Sequence, residues 1–217
     1  MAETVSKLDC DITIVGRELG ECCKSDTVPF KTVRFNMFFR RGFLFYKFIN
    51  IRILLHLLSH KYDLIVANDL DTLLPGFIVS KLKGIKLVYD SHEYFTGVPE
   101  LMNKPVRKWF WKSLERMIVP GIVNFITVSA SIADLYKEEY GVDPLVVRNV
   151  SRKTSTILPF TRSETNIPES VLLLIYQGRG INIDRGGEEL IEALVDIDNV
   201  FLLVIGGGDV FSSLQIK

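Results

Sequence analysis

Short apolar runs alternate along this chain with segments of helical periodicity, and this alternation restricts its fold more than any other feature. The runs are rich in β-branched residues and lack polar alternation, which is typical of strands buried on both faces of a parallel sheet. Predicted strands are Ile12–Val15, Leu64–Ala67, Ile85–Tyr89, Phe125–Val128, Leu145–Val147, Val171–Ile175 and Val200–Ile205. Predicted helices are Gly42–Ser59, Thr72–Lys83, Lys104–Val119, Ala130–Tyr140 and Gly187–Val195. This order predicts an α/β doubly wound architecture.

The composition changes after Asn149, where a stretch rich in Thr, Ser and Pro loses the apolar periodicity. We therefore predict a first domain over residues 1–150, a linker over 151–170 and the beginning of a second domain over 171–217. The last region holds a single strand–helix–strand unit. One such unit cannot bury both faces of its own sheet, so the second domain is expected to be incomplete.

Charge and cysteine content exclude several classes of protein. The 26 basic and 26 acidic side chains give a formal net charge of zero, which argues against a basic nucleic-acid-binding protein. Cys10, Cys22 and Cys23 are an odd number, and we interpret them as free thiols in a reducing cytosol. The long apolar stretch from Phe43 to Leu58 is interrupted by polar residues, so it is not predicted to span a membrane.

Polar side chains follow the predicted strands, where ligands of parallel sheets usually bind. The candidates at these strand ends are Asp69, Asp90, His92, Glu93 and Ser129. A simpler interpretation is that Asp71 or Thr72 caps the helix that follows, and that Ser129 or Ser131 caps the next one. His92 and Glu93 are adjacent and lack the helical spacing of a zinc-binding pair, so no metal is predicted there.

A second candidate site follows the strand at Val171–Ile175. Arg179 lies at the strand end, and Arg185 lies before a helix that begins after Gly186. Two guanidinium groups beside free helix N–H groups suit a di-anion such as a diphosphate. Alternatively, both arginines are exposed and the glycines serve only the turn.

A basic and aromatic stretch runs from Thr27 to Tyr62 without a single acidic residue. Its bases are Lys31, Arg34, Arg40, Arg41, Lys47, Arg52 and Lys61, and its aromatic residues are Phe35, Phe38, Phe39, Phe43, Phe45, Tyr46 and Phe48. A segment of this kind can lie on an anionic membrane surface or face a phosphate-bearing acceptor. The simpler interpretation, which we favour, is a core-facing helix with a solvated basic rim.

Several sequence segments, taken together, resemble glycosyltransferase family 4, and in particular bacterial enzymes of cell-surface polysaccharide biosynthesis. Residues 63–75 read DLIVANDLDTLLP, and residues 87–96 read LVYDSHEYFT. The likeness continues through Pro99–Leu101, Trp111–Glu115, Val128–Tyr140, Val146–Asn149, Tyr176–Arg179, Arg185 and Glu189–Ala193. It covers most of the chain.

The resemblance implies a GT-B architecture of two Rossmann-like domains with the active site in the cleft between them. It implies retaining transfer of a hexose from a nucleotide sugar to a glycan or lipid-linked acceptor, without a cofactor or an obligatory metal. His92 would meet the donor sugar as the catalytic residue, Arg179, Arg185 and Gly186 would bind the donor diphosphate, and Asn149 would mark the domain crossover. Asp69, Asp90, Glu93 and Ser129 would line the acceptor side of the cleft. A cytoplasmic protein, peripheral to the inner face of the plasma membrane, is expected.

The chain also departs from the family pattern. Val150-Ser151 replaces the Pro that usually follows the crossover Asn, and we expect the first strand with its Gly-rich loop before Met1 and an E-x7-E element after Lys217. On this interpretation the amino domain lacks its first strand and the chain is a fragment with little or no transferase activity. The alternatives are a non-catalytic nucleotide-binding α/β protein and a remnant subunit that completes its fold with another chain. A dinucleotide oxidoreductase is disfavoured because no G-x-G-x-x-G follows a strand.

Overall fold

The computed structural model describes residues 2–18, 30–150, 162–165, 167–178 and 180–214. It divides the chain into two compact units. Unit 1 comprises Met1–Thr96 and Val106–Asn149, and unit 2 comprises Gly97–Pro105 and Val150–Lys217. The short segment Gly97–Pro105 thus packs with residues that are distant from it in sequence.

Helices and strands alternate through both units. In chain order they are α1 (Ala2–Val5), β1 (Thr13–Arg17), β2 (Lys31–Phe35), α2 (Phe43–Ser59), β3 (Leu64–Asn68), α3 (Leu70–Lys83), β4 (Lys86–Ser91), α4 (Pro99–Met102), α5 (Pro105–Ile118), β5 (Asn124–Thr127), α6 (Ala130–Tyr140), β6 (Leu145–Val146), α7 (Arg162–Thr165), β7 (Leu172–Gly178), α8 (Gly187–Leu194), β8 (Val200–Gly206) and α9 (Phe211–Leu214). Short 3-10 turns occur at Ser6–Leu8, Phe95–Gly97 and Val119–Gly121.

Every strand pairing in the described residues is parallel, which confirms the predicted α/β class. In unit 1, β1 pairs with β2, and a second sheet has the order β3-β4-β5-β6. In unit 2, β7 pairs with β8. Because the register aligns Asn68 with Asp90 and Ser91 with Thr127, the carboxyl ends of β3, β4 and β5 lie at one edge of the sheet.

Helix α3 packs closely on the four-stranded sheet because Gly76 faces it. A Cβ at Gly76 would lie 3.2 Å from Cδ1 of Leu87 and 3.3 Å from Cγ2 of Ile65. One residue earlier, Pro75 stands inside the helix and has no N–H for the carbonyl of Asp71. The side chain of Asn50 on α2 donates to that carbonyl at 2.8 Å, so the lost helical hydrogen bond is replaced.

Helix α2 is anchored at its carboxyl end by a single lysine. Nζ of Lys83 donates to the carbonyl oxygens of Leu57, Leu58 and His60 at 2.7–2.8 Å, which satisfies helix-end acceptors that would otherwise lack partners. The buried stripe of this helix is formed by Ile49, Ile53 and Leu57. Its face toward the core is therefore apolar, while the bases of the helix stay outside that stripe.

Strand β3 departs from the expectation that the strands are buried on both faces. Ile65 and Ala67 are buried beneath α3, but Leu64 and Val66 are 48% and 40% exposed. The expectation was wrong for this strand because a purely apolar run gives no indication of which face is covered. The strand at Lys31–Phe35 was also missed, since its two bases placed it in the basic stretch.

Candidate functional site

Asp69, at the carboxyl end of β3, has a backbone conformation that few residues other than Gly adopt (φ 58°, ψ 167°). It precedes α3 as the N-cap, yet its carboxylate makes no capping bond to the helix. Instead Oδ1 accepts a hydrogen bond from the backbone N–H of His92 at 2.8 Å, and Oδ2 lies 3.2 Å from Nδ1 of His92. Such strain costs about 1–3 kcal/mol and clusters at functional sites.

His92 is held between two carboxylates at the end of β4. Because a carboxylate only accepts hydrogen bonds, the contact with Asp69 assigns a proton to Nδ1 of the ring. Nε2 lies 3.4 Å from Oδ2 of Asp90, which is longer than a well-formed hydrogen bond. The His92 side chain is 41% exposed. Asp69, Asp90 and His92, which we call the His92 site, thus combine a fixed ring with an accessible edge.

Burial governs the electrostatics of the neighbouring acids. Burial raises the pKa of Asp90, and the adjacent His92 opposes part of that rise. Burial and the nearby Asp69 charge raise the pKa of Asp71 to about 6. Asp71 does not cap α3, and neither does Thr72, because the helix begins earlier, at Leu70. The capping interpretation of these two residues was therefore wrong.

A buried polar network supports the segment that follows His92. Glu115 on α5 is fully buried and accepts hydrogen bonds from Thr96 (2.9 Å), Tyr140 (2.6 Å), Tyr136 (3.2 Å) and Lys112 (3.0 Å). Although burial alone would lower the pKa of Lys112, its bonds to acidic and phenolic partners raise it above the ordinary value. Sequence reasoning missed this network, and the pairing of Lys112 with Glu115 one turn apart was its only signal.

The remaining unit 1 candidates play different parts. The backbone carbonyl of Glu93 accepts from the Ser91 hydroxyl at 2.7 Å, next to His92. The Ser129 hydroxyl accepts from the backbone N–H of Ile132 at 3.3 Å, which confirms that it caps α6. Asn149 is exposed in the segment that follows β6. The structure therefore unites Asp69, Asp90 and His92, but gives Ser129 a helix-capping role.

The second candidate site lies in unit 2 around Arg185, immediately before α8. The carbonyl of Arg185 accepts from the Tyr176 hydroxyl at 3.0 Å, and Gly186, at φ 83°, is the N-cap of α8. Nη2 of Arg185 lies 3.3 Å from Oε1 of Glu100 on α4. Arg179, its predicted companion, lies outside the described residues. Sequence analysis named Glu100 only within the family resemblance. It did not predict the contact with Arg185, because the two residues are far apart in the chain.

Glycine backbone shapes the carboxyl ends of β7 and β8. A Cβ at Gly206, where φ is 145°, would lie 1.8 Å from the carbonyl oxygen of Gly178. A Cβ at Gly208 would lie 2.2 Å from the carbonyl oxygen of Ile181. An open depression is lined here by Gln177, Gly178, Ile205, Gly206 and Gly207. Gly206 and Gly208 are therefore required by the turn, and the turn presents backbone to this depression.

The basic and aromatic stretch contains both β2 and α2. Lys47 and Arg52 are both exposed on α2, and the Arg52 guanidinium lies 5.9 Å from the ring centre of Phe35. Arg17 lies 5.1 Å from the ring centre of Phe45. The interpretation as a core-facing helix with a basic rim is confirmed by the buried stripe of α2.

The described residues contain neither a metal-binding cluster nor a membrane-spanning helix. Among them, no group of three or more His, Cys, Asp or Glu side chains is arranged to hold a metal ion. None of their helices is both long enough and apolar enough to cross a membrane.

Comparisons with known proteins identify the family of this chain. The family model described as Glycosyltransferase Family 4 matches residues 1–150. Among solved structures, the chain is similar to the apo form of the lipopolysaccharide outer core galactosyltransferase WaaB, with 16% identity and a TM-score of 0.49. That similarity covers 86% of this chain, which spans 48% of the length of that structure. A search of curated protein sequences finds no significant match.

Proposed function

This chain belongs to glycosyltransferase family 4, and we propose that it transfers a hexose from a nucleotide sugar to a glycan or lipid-linked acceptor with retention of anomeric configuration. We place the reaction in cell-surface polysaccharide biosynthesis, at the cytoplasmic side of a membrane. The His92 site is the observation that supports the proposal most strongly. There Asp69, in a strained backbone conformation, binds the partly exposed His92 and does not cap α3.

His92 binds a hydroxyl of the donor sugar or of the acceptor in this proposal. Asp69 holds Nδ1 of the ring, which leaves Nε2 directed toward Asp90 and the exposed edge. Because the contact with Asp90 is long, a substrate hydroxyl can compete for Nε2. The ring orientation is set before substrate arrives, and such preorganisation reduces the cost of positioning.

Arg185 and the start of α8 bind the donor diphosphate in this proposal. A guanidinium beside free helix N–H groups stabilises a di-anion, and each charge-assisted bond is worth about 1.5–3 kcal/mol. The open depression at Gly206 and Gly207 leaves room for the ligand, because these residues carry no side chain. These cationic and backbone donors need no metal to balance the charge of the diphosphate.

The reaction breaks the bond between the sugar C1 and the diphosphate oxygen, and the electron pair leaves with the nucleoside diphosphate. The acceptor oxygen then bonds to C1 on the face from which the diphosphate departs, which retains the configuration. The acceptor proton passes to the departing phosphate oxygen. Positive groups held near that oxygen stabilise the developing charge, an effect often worth about 3–4 kcal/mol for a single donor.

The test is release of nucleoside diphosphate from UDP- and GDP-sugars in the presence of a bacterial lipid and glycan extract. We expect His92→Asn to reduce release by at least about a hundredfold, in line with the loss of a group that positions a substrate hydroxyl. His60→Asn is the matched control, since His60 lies at the exposed end of α2.

Equal activity in the His92→Asn variant and the wild type would contradict the proposed role of His92. Release by the wild type would overturn the expectation that this chain has little or no transferase activity by itself. Nucleotide binding with no release from any donor would agree with that expectation and favour the alternative of a non-catalytic nucleotide-binding protein. Binding of NAD in preference to UDP and GDP would reject the transferase proposal in favour of a dinucleotide-binding protein.

A further inference from the structure

An apolar cavity of about 230 Å³ opens between α2, α3 and α5 of unit 1, separate from the His92 site. It is smaller than the roughly 300–1,000 Å³ typical of pockets for whole drug-sized ligands. A hydrocarbon chain segment fits a cavity of this kind. We call it the aromatic pocket, and its lining residues from α2 and α5 include Phe43, Tyr46, Ile51, Leu54, Phe110 and Trp111.

The walls of the aromatic pocket offer little to a sugar. The amide of Asn50, one of the few polar lining groups, already donates to the carbonyl oxygens of Tyr46 and Asp71, both at 2.8 Å. From α3, Leu74, Pro75 and Ile78 complete the lining. Sugar hydroxyls placed here would lose hydrogen bonds to water without replacement, whereas methylene groups would gain by burial.

Positive charge surrounds the mouth of the aromatic pocket. Among the lining residues that the structure describes, Lys47 is the one charged side chain. Arg107 is exposed on α5, one turn before the lining residues Phe110 and Trp111, and therefore lies on the same face of that helix. Since α2 carries no acidic residue, an anionic headgroup is favoured at this mouth.

Aromatic rings form part of the rim as well. Phe43 is 62% exposed, and its ring contacts that of Phe110 edge-on with centres 5.8 Å apart. Trp109, beside Phe110, is 70% exposed. Exposed aromatic side chains next to cations are typical of surfaces that meet the interface of a lipid membrane.

Two contacts join residues that line the aromatic pocket to segments next to the His92 site. Asn50 binds the carbonyl of Asp71, two residues after Asp69. The Trp111 ring contacts Phe95, three residues after His92, with centres 5.2 Å apart. A chain in the pocket would therefore place its headgroup on the same part of unit 1 as the carboxyl edge of the sheet.

We propose that the aromatic pocket binds the hydrocarbon chain of a membrane lipid whose phosphate or diphosphate headgroup lies at Lys47 and Arg107. Apolar walls, a cationic mouth and exposed rim aromatics complement such an amphiphile. The inference rests on the proposed function only in assigning this lipid as the carrier of the acceptor. The binding itself requires neither a donor nor turnover.

The test uses the full chain with the substitution Trp109→Phe. The sequence has two tryptophans, so Trp111 in the pocket then becomes the single source of indole fluorescence. The probe is dodecyl phosphate with bromine on its terminal carbon, added below its micelle concentration, because bromine quenches indole emission on contact. We expect saturable quenching of Trp111. Inorganic phosphate, which has no chain, should cause none.

Two matched variants on α2 locate the binding. Ile51 lines the pocket, whereas Leu55 on the same helix is 60% exposed and lies outside the lining. Ile51→Asp and Leu55→Asp change the net charge equally. We expect Ile51→Asp to weaken probe binding by about tenfold or more and Leu55→Asp by no more than about twofold. Circular dichroism and thermal unfolding of each variant establish that it is folded.

Lys47→Glu, on the rim, supplies a variant that leaves the apolar cavity walls intact. We expect it to weaken dodecyl phosphate about fivefold and an uncharged dodecyl glucoside far less. The proposal is overturned if quenching does not saturate below the micelle concentration. It is also overturned if both Asp variants weaken binding alike, because that result indicates adsorption to a charged surface.

The outcomes separate this inference from the proposed function. Saturable lipid binding by a chain that releases no nucleotide from any donor would support the lipid site in the aromatic pocket and reject the proposed transferase activity of this chain. Sugar transfer to a water-soluble glycan, with no saturable quenching, keeps the transferase and rejects the pocket.

Discussion

The two units form their candidate sites by different means. In unit 1, His92 is fixed by side chains, with Asp69 on one ring nitrogen and a buried network around Glu115 behind the following segment. In unit 2, the surroundings of Arg185 are shaped by backbone, because Gly186 and Gly206 adopt positive φ and Gly208 admits a close approach. The first arrangement suits orientation of a neutral substrate group, and the second suits an anion bound by N–H groups.

This difference predicts different sensitivities to substitution. A site made by side chains fails when a buried partner is removed, since the remaining partners lose their hydrogen bonds without water to replace them. A site made by backbone fails when a Cβ is added where none fits. Unit 1 should therefore be most sensitive to loss of a polar group, and unit 2 to the gain of a methyl group.

Glu115→Ala should have the strongest effect on stability. The change leaves Lys112 and three hydroxyl groups without their shared acceptor in the core of unit 1. We expect the free energy of unfolding to fall by about 3–5 kcal/mol, measured by urea denaturation. Glu138→Ala on the exposed face of α6 is the control and should change it by less than about 0.5 kcal/mol. A small effect at Glu115 would contradict the view that side-chain hydrogen bonds maintain the candidate site of unit 1.

Gly206→Ala tests whether backbone conformation shapes the candidate site of unit 2, and Gly207→Ala is its control. At Gly206 the new Cβ meets the carbonyl of Gly178 at a positive φ, whereas at Gly207 nothing lies within 4 Å. We expect Gly206→Ala to destabilise the protein by about 1–3 kcal/mol in thermal unfolding, and Gly207→Ala to have little effect. Equal effects of the two substitutions would contradict the structure of this turn.

The acid beside the His92 site predicts a pH dependence. The pKa of Asp71 is raised to about 6, so the native state binds its proton more tightly than the unfolded chain does. Stability from this group is present at low pH and is lost as pH rises toward and through about 6. Asp71→Asn should therefore raise the free energy of unfolding by about 1–2 kcal/mol at about pH 7 and leave it unchanged at about pH 4.

Asp63→Asn, at an exposed position, is the control for the pH experiment. Urea unfolding of both variants at the two pH values provides the measurement. A stabilisation by Asp71→Asn that is equal at both pH values would contradict a titration of this carboxyl.

The weakest effect concerns Glu100, whose carboxylate lies 3.3 Å from the guanidinium of Arg185. Both groups are partly exposed, so their ion pair is weak. Because a bound diphosphate competes with Glu100 for Arg185, Glu100→Gln should tighten binding of UDP or GDP by about two- to fivefold, measured by calorimetry. Weaker binding in this variant would instead assign Glu100 to the ligand site.

Local features of the sequence predicted much of the fold. Helix α6 was predicted at both ends because Ser129 caps it and Gly141, at φ 67°, terminates it. Strand β2 was missed because Lys31 and Arg34 gave it the character of the adjacent basic segment. Element types follow from nearby residues, so periodicity and caps recover them well.

The candidate sites were only partly predictable. The strand ends nominated Asp69, Asp90 and His92, which the structure brings together, yet their pairing depends on a positive φ at Asp69 that no neighbouring residue requires. The contact of Glu100 with Arg185 joins residues 85 positions apart. Contacts across such separations arise from tertiary packing, which a single sequence does not display.

The proposed donor site at Arg185 is best tested by calorimetric titration of UDP and GDP into the wild type, Arg185→Ala and Arg116→Ala. Arg116 is an exposed arginine on α5 and serves as the matched control. We predict that one of the two nucleotides binds, that Arg185→Ala weakens it by about tenfold or more, and that Arg116→Ala leaves it unchanged. Binding of neither nucleotide, or equal binding by all three proteins, would contradict a donor site at Arg185.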